Sequence, residues 1–335
     1  MSLDNVPALP HLFRLNGQVS VPPPPAEDFN ALFGGILPPA QTVESYWGIT
    51  TYYVIHPSHP NPSKSEPPRH VVLVHGVGTP AIGLLPLATR LASASTPTTV
   101  LIYDNWGHGL SSTPLTAHVA GLFHLQILQL LSHLQWPRAH FLGFSMGGMI
   151  ATSFARYHAE LVQSLVLVAP AGLLRKSNLS AWARFVEWGG WGWGWEGISA
   201  RRIYGFLGPD PVEEGWEKKF KEKGLDAIPR DAVQVWEREK HSGHVASLIS
   251  TYRYCSLYDS HDTYESVAKG DVPTLVLLGE HDGFFEKEYM KNELKAVGWR
   301  GDVQVVDGVG HGVVGEKTKE VEESMLAFWK GLKET

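Results

Sequence analysis

Cysteine is almost absent from this chain. Cys255 is the only one among 335 residues, so no disulfide can form within the chain, as is typical of a reducing compartment. No run approaches the roughly 18–20 apolar residues of a membrane-spanning helix, and the first forty residues carry no targeting pattern. Lys and Arg total 28 against 34 Asp and Glu, without a basic stripe. We therefore expect a cytoplasmic protein with no transmembrane segment and no nucleic-acid partner.

The composition is otherwise that of a globular protein, with 43% apolar and 19% charged residues. The first 43 residues depart from it, because they contain four consecutive prolines at 22–25 and two more at 38–39. Proline lacks the backbone N–H that helices and inner strands need. We predict an irregular Pro-rich arm at 1–43 that lies along the surface; the alternative is a polyproline segment that binds a partner.

From residue 45 onward, short apolar runs alternate with helix-like stretches. Strands are predicted at 51–56, 70–75, 99–104, 139–144, 164–169, 272–279 and 302–306, and helices at 84–94, 118–134, 146–158 and 317–332. Several of the runs are continuous Val, Leu and Ile, which is typical of strands buried on both faces. The pattern predicts an α/β fold with a mostly parallel, doubly wound sheet. It stops at 174–270, which we interpret as an insertion on the sheet.

A glycine-flanked serine lies where the predicted strand 139–144 meets the predicted helix 146–158. The segment is Gly143-Phe144-Ser145-Met146-Gly147. In such a G-x-S-x-G turn, side chains two residues from the serine would collide, so both positions need Gly. The serine hydroxyl is then presented above the carboxyl ends of the strands. Ser145 is the predicted nucleophile, and a Gly-rich turn with an idle serine is the alternative.

A serine hydroxyl needs a base to take its proton. Among 16 histidines, His311 lies in a Gly-rich loop after the last predicted strand and before the last predicted helix. Its imidazole needs a carboxylate to fix the tautomer. We prefer Asp282 to Glu280, because the preceding strand is expected to end near Gly279 and to leave Asp282 in the loop above it.

A tetrahedral oxyanion needs N–H donors that are already aimed at it. The N–H of Met146, first on the helix after Ser145, is one candidate. The second is the N–H of Val77, in the loop His75-Gly76-Val77-Gly78 that follows the predicted strand 70–75. The two glycines let this backbone approach a substrate. An ordinary glycine turn is the alternative.

Together these stretches resemble the α/β-hydrolase superfamily. They are, in order, His75-Gly76, the segment 104–111, the turn 143–147 and the Asp282/His311 pair. The segment 104–111 is similar to the family's D-x-x-G-x-G-x-S turn, with Trp106 where Arg is common. The order nucleophile, acid, base is that of the fold. The resemblance implies a core of about eight strands at 44–173 and 271–335, with 174–270 as a mainly helical cap over the active site.

The insertion also contains five of the 12 tryptophans, between residues 182 and 195. They indicate either packing of the cap on the core, or an aromatic lining that includes Trp191 and Trp193 and binds a small apolar acyl or aromatic substrate, or a membrane-interface patch. His241 and His244 lack an H-E-x-x-H or cysteine context, so we expect a solvated cap face rather than a metal site. No cofactor motif is present, and we expect no cofactor.

The resulting hypothesis is a cofactor-free serine hydrolase that cleaves a carboxylic ester, thioester or lactone through an acyl-enzyme intermediate. The Ser-Met-Gly-Gly form of the turn resembles esterases, thioesterases and carbon–carbon bond hydrolases. One alternative is therefore cleavage of a carbon–carbon bond in a β-diketone or dienone with the same three residues. The other is a non-catalytic ligand-binding or receptor member of the fold.

Overall fold

The computed structural model describes Leu9, Arg184 and residues 17–59, 68–78, 80–181, 196–207 and 211–332. Its strands are β1 (Ser20–Val21), β2 (Gln41–Ser45), β3 (Gly48–Ile55), β4 (Arg69–Val74), β5 (Thr98–Tyr103), β6 (Thr113–Pro114), β7 (Ala139–Phe144), β8 (Val162–Val168), β9 (Thr274–Gly279) and β10 (Asp302–Val306). Its α-helices are α1 (Ala26–Phe33), α2 (Leu85–Ala92), α3 (Ala120–His133), α4 (Met146–Tyr157), α5 (Glu196–Leu207), α6 (Trp216–Lys223), α7 (Arg230–Lys240), α8 (His244–Tyr254), α9 (His261–Lys269), α10 (Lys287–Ala296), α11 (Val313–Glu316) and α12 (Thr318–Gly331).

Within these residues, eight strands form one sheet in the order β10-β9-β8-β7-β4-β5-β3-β2. The six strands from β10 to β5 are parallel, and β3 and β2 are antiparallel to their neighbours. The central strands are buried on both faces because they are continuous apolar runs, such as Val71 to Val74. The predicted α/β fold with a mostly parallel sheet of about eight strands is confirmed. All seven predicted strands are present, with ends shifted by at most three residues.

The N-terminal arm is more ordered than the sequence analysis predicts. It forms β1, which pairs with β6, and helix α1 between the two proline clusters. Proline is tolerated where a helix begins, and Pro25 directly precedes α1. Phe29 and Phe33 are spaced four residues apart, so they lie on one face of α1, and both are buried. An irregular arm over 1–43 is therefore wrong for this helix and for β2, which begins at Gln41.

The insertion contains helices α5 to α8 among its described residues, in line with the prediction of a mainly helical segment. Its predicted end at residue 270 is wrong, because α9 belongs to the core. Tyr264 of α9 is fully buried in the main hydrophobic core and donates a hydrogen bond to the carbonyl oxygen of Ala171 at 2.6 Å. Arg156 of α4 holds Asp262 at 2.6 Å. The core therefore resumes before α9.

Among the described residues, no helix combines the length and the hydropathy that are needed to span a membrane.

Candidate active site

Ser145 lies at the sharp turn between β7 and α4. Its backbone has φ 54° and ψ −117°, a conformation that residues other than glycine rarely adopt. A Cβ on Gly147 would run into the carbonyl oxygen of Val74, and one on Gly143 would run into the backbone of Gly147. The turn therefore packs directly against the end of β4. These contacts are the reason for the two glycines that the sequence motif requires.

The structure brings Ser145, His311 and Asp282 into one hydrogen-bonded chain. His311 Nδ1 donates to Asp282 Oδ2 at 2.9 Å, so Nε2 carries the lone pair and accepts from Ser145 Oγ at 3.0 Å. The Asp282 side chain is 1% exposed, whereas that of His311 is 23% exposed. A buried carboxylate thus fixes the imidazole, and the imidazole remains open to solvent on one side.

Asp282 is itself held by the backbone that follows it. Its Oδ1 accepts from the N–H groups of Phe284 at 2.8 Å and Phe285 at 3.0 Å. Neither residue was predicted from the sequence, although an Asp followed by Gly283 is a turn signal in which the side chain binds the backbone two residues on. Their rings, with that of Phe144, lie 5.0–5.2 Å from the His311 ring.

Glu280, the alternative acid, points elsewhere. Its carboxylate accepts from the N–H of Gly308 at 2.9 Å and lies 3.6 Å from the Lys287 ammonium. The Gly308 hydrogen bond, and to a lesser degree nearby His281, lowers the pKa of Glu280. His311 therefore contacts Asp282, whereas Glu280 binds the backbone of the loop that precedes His311.

The two backbone segments predicted to hold an oxyanion flank Ser145. Met146 begins α4, and the first N–H groups of a helix have no acceptor within it. Gly76 runs close by, since a Cβ there would lie 3.1 Å from Ser145 Cβ. Val77 follows, and its side chain packs against the hydrophobic cluster of α8 as well as the main core.

A buried histidine joins this loop to the segment 104–111. His75 Nδ1 donates to the carbonyl of Gly76 at 2.7 Å, and Nε2 accepts from the N–H of Asn105 at 2.8 Å. Within the segment, the Asp104 carboxylate accepts from the N–H groups of Ala81 and Leu110 at 2.8 and 2.9 Å. Burial raises the pKa of Asp104 to about 6 against these two hydrogen bonds. The Gly-rich turn is thus held by fully buried polar groups.

The expected solvated face of the cap histidines is wrong. His241 and His244 are both buried, because they donate to carbonyls of the segment 104–111: His241 Nε2 to Ser111 and His244 Nδ1 to Gly107, each at 2.8 Å. Burial lowers their pKa to about 4 and about 3, so both are neutral at pH 7. In the described part of the chain, no three His, Cys, Asp or Glu side chains are grouped to bind a metal.

A buried glutamate of the insertion also contacts the segment 104–111. Glu237 of α7 accepts from the N–H of Gly109 at 2.8 Å, and its second oxygen lies 3.9 Å from His244 Nε2. Burial raises the pKa of Glu237 well above its usual value. Glu237 was not predicted from the sequence, since nothing local distinguishes it from the solvated glutamates around it. Trp191 and Trp193, the predicted lining residues, lie outside the described residues.

Known proteins give the family. The model of the alpha/beta hydrolase fold matches residues 69–318. A 3-oxoadipate enol-lactonase 2 from Acinetobacter baylyi is 34% identical over 183 residues, 55% of this chain and 61% of that protein. The dihydrolipoyllysine-residue acetyltransferase component of the acetoin cleaving system from Pseudomonas putida is 27% identical over 265 residues, 77% of this chain and 62% of that protein. The chain spans about three fifths of the length of these two curated relatives.

Solved structures share the fold. The enol-lactonase from Burkholderia xenovorans LB400 has a TM-score of 0.62 at 17% identity and covers 87% of this chain and 100% of its own. A thermophilic esterase from Thermogutta terrifontis has a TM-score of 0.63 at 19% identity, over 87% and 98%. The family match covers most of the chain. The protein belongs to the α/β-hydrolase fold family.

Proposed function

We propose that this protein is a serine hydrolase that cleaves a carboxylic ester, thioester or lactone through an acyl-enzyme intermediate. Membership of a family of hydrolases supports a hydrolytic activity. The observation that carries the finer proposal is the hydrogen-bonded chain from Asp282 through His311 to Ser145. A structural serine would require neither a base on its hydroxyl nor a buried carboxylate behind that base.

In the proposed reaction, Ser145 Oγ attacks the acyl carbon while its proton passes to His311 Nε2. Asp282 keeps Nδ1 protonated and stabilises the imidazolium that forms. The N–H groups of Val77 and Met146 stabilise the oxyanion. His311 then protonates the leaving alcohol, thiol or, for a lactone, the tethered oxygen. Water, deprotonated by the same imidazole, releases the acid and restores Ser145.

A fluorophosphonate probe tests the nucleophile, because it reacts readily only with an activated serine. We expect one label per chain, on Ser145, and hydrolysis of p-nitrophenyl esters by the same preparation. Ser145→Ala should abolish both, and heat-unfolded protein serves as the control for non-specific labelling. A native protein that takes no label and cleaves no ester would favour the non-catalytic alternative. Labelling together with faster cleavage of a β-diketone than of any ester would favour the carbon–carbon bond alternative.

The cap supports a proposal about the substrate. We infer that Trp191 and Trp193 line the pocket for an apolar acyl or aromatic group, since the tract around them concentrates aromatic side chains. Burial of a chain should then contribute about 0.8 kcal/mol per methylene, or about a three- to fourfold rise in kcat/KM per carbon. Replacement of either tryptophan by Ala should flatten this series and leave the shortest ester nearly unchanged. An unchanged slope with lower thermal stability would instead indicate packing.

We propose that this activity takes place in the cytoplasm, because a single cysteine is typical of proteins in a reducing compartment.

A further inference from the structure

Helix α7 carries a stripe of polar side chains toward the candidate active site. Arg230, Gln234 and Glu237, with His241 just beyond the helix, follow one another at spacings of four, three and four residues, which places them on one face. Arg230 and Gln234 lie against two different loops near the site. Glu237 and His241 hold the helix on the segment 104–111.

Arg230 holds the loop that carries His311. Its guanidinium pairs with Glu316 of α11 at 3.0 Å. It also lies on the glycines of that loop, since a Cβ on Gly312, next to His311, would be 2.9 Å from both terminal nitrogens of Arg230. The ion pair is half-exposed on both sides, so it contributes little to global stability. Its geometric effect falls on the backbone beside the proposed base.

Gln234 lies against the opposite loop, next to Val77. Gly78 has φ 63°, and a Cβ on it would meet the Gln234 amide nitrogen at 3.1 Å and the amide carbon at 3.4 Å. The side chain is half-buried. It therefore backs the segment that presents the proposed oxyanion donor. One turn of a single helix thus separates the residue behind the base loop from the residue behind the donor loop.

The rest of α7 is firmly seated. Glu237 accepts from the N–H of Gly109, and His241 donates to the carbonyl of Ser111, both at 2.8 Å. On an adjacent face of the helix, Trp236 packs edge-on against Phe29 of α1, with ring centroids 5.0 Å apart. A helix anchored on two faces can act as a rigid spacer between two loops.

We propose that α7 is a positioning element of the active site, and that Arg230 and Gln234 are positioning residues that hold the His311 loop and the Val77 loop in register across Ser145. The inference rests on the proposed hydrolytic function. Neither side chain touches the reacting atoms. Both act by fixing backbone that does, and small misplacements of such groups slow the chemical step strongly.

A charge exchange tests the Arg230 half. Arg230→Glu and Glu316→Arg should each lower kcat about tenfold, with KM changed less than about twofold, because geometry rather than binding is lost. The double variant R230E/E316R should recover kcat to within about threefold of wild type. The same exchange in the ion pair of Lys219 and Glu213, 2.7 Å apart and somewhat more exposed, should change neither constant. Thermal unfolding of every variant is measured, and Arg230→Gln replaces Arg230→Glu if the latter does not fold.

Gln234→Ala should likewise lower kcat, about fivefold, and slow fluorophosphonate labelling of Ser145 in proportion, while Gln234→Met, of similar length, should recover most of both. The two hypotheses fail in different ways. A wild-type protein that neither labels nor hydrolyses esters contradicts the proposed function. A wild-type protein that does both, with unchanged kcat in the Arg230 and Gln234 variants or no recovery in the double exchange, overturns the positioning role alone.

Discussion

At Ser145 the backbone conformation and the proposed chemistry impose opposite requirements. A φ of 54° with ψ −117° costs a residue with a Cβ about 1–3 kcal/mol, and the surrounding sheet and helix supply that free energy. Glycine adopts the same conformation without this cost, although it gains about 0.5–1 kcal/mol of freedom in the unfolded chain. The serine is therefore retained against the preference of its own backbone.

The strain at Ser145 can be measured by comparing the stability of two variants that lack its hydroxyl. Ser145→Gly should have a free energy of unfolding about 1 kcal/mol higher than that of Ser145→Ala, because only glycine relieves the strain. Urea unfolding of both proteins measures the difference, and Ser145→Ala is the matched control for loss of the hydroxyl. Equal stability, or a more stable alanine variant, would show that the turn is not strained.

The two acidic candidates near His311 are distinguished by their hydrogen bonds. Asp282→Asn should lower kcat about 10⁴-fold with the fold intact, since the imidazole loses control of its tautomer. Glu280→Gln should lower it less than about tenfold, because that side chain holds the Gly308 backbone and does not touch His311. Steady-state kinetics with one activated ester measures both. A reversal of the two effects would assign the acid to Glu280.

The three residues of the hydrogen-bonded chain can be predicted from sequence because each lies in the segment that follows the carboxyl end of a parallel strand. Parallel strands bring their carboxyl ends to one edge of the sheet, so sequence order alone assembles them. Glu237, His241 and His244 could not be predicted in the same way. Their partners are backbone groups of the segment 104–111, more than a hundred residues away, and a local pattern cannot distinguish a buried partner from water.

Among the elements, α1 shows how the N-terminal arm and the insertion depend on each other. Phe33 is fully buried and stacks on Trp216 of α6 with ring centroids 5.7 Å apart, and Phe29 lies on Trp236 of α7. The prolines on either side made the arm resemble an irregular segment. The apolar pair that orders it is visible in sequence, but its partners lie in the insertion, and only the folded chain brings them together.

A pair of neighbouring substitutions tests this contact. Phe33→Ala should lower the free energy of unfolding by about 3 kcal/mol, since it removes a buried aromatic ring and leaves a cavity. Leu32→Ala, at a position 39% exposed on the same helix, should cost less than about 0.5 kcal/mol. Chemical unfolding followed by tryptophan fluorescence reports both. Comparable losses would mean that α1 is held by its backbone and not by the Phe29–Phe33 face.

The boundary at α9 was missed for a related reason. Its sequence is mostly polar, like those of α6 and α7 in the insertion, and only Tyr264 and Val267 contribute apolar side chains to the main core. The core strands could be predicted because burial on both faces leaves a continuous apolar run. A helix that covers a sheet needs only one apolar face, so its assignment to core or cap depends on what it meets.

For the whole molecule, the pH dependence of the free energy of unfolding is determined more by buried ionisable groups than by those on the surface. Burial lowers the pKa of eight histidines: that of His75, His118, His124 and His241 to about 4, that of His140 and His244 to about 3, that of His108 well below its usual value, and that of His70 below its usual value. Two buried carboxyls act in the opposite sense, since burial raises the pKa of Asp104 to about 6 and that of Glu237 well above its usual value. Four of these histidines (His75, His108, His241 and His244) and both carboxyls lie where the insertion contacts the core.

The last prediction is a loss of stability on mild acidification. Between about pH 6.5 and pH 4 an unfolded chain binds protons on these histidines that the folded chain does not, so the free energy of unfolding falls as pH falls through this window. Asp104 and Glu237 stay protonated in the folded state above their usual pKa, so they oppose the trend, but they are two groups against eight. A net uptake of at least two protons on unfolding gives a slope of about 2–3 kcal/mol per pH unit near pH 5.5. Urea unfolding at pH 7.5, 6.5 and 5.5 measures it, with little change expected above pH 7. Equal stability at pH 7.5 and 5.5 would contradict the prediction, because it would mean that the imidazoles are protonated in the folded protein. His75, His241 and His244 donate to backbone carbonyls in buried surroundings, so they could be protonated only if the contact between the insertion and the core opened.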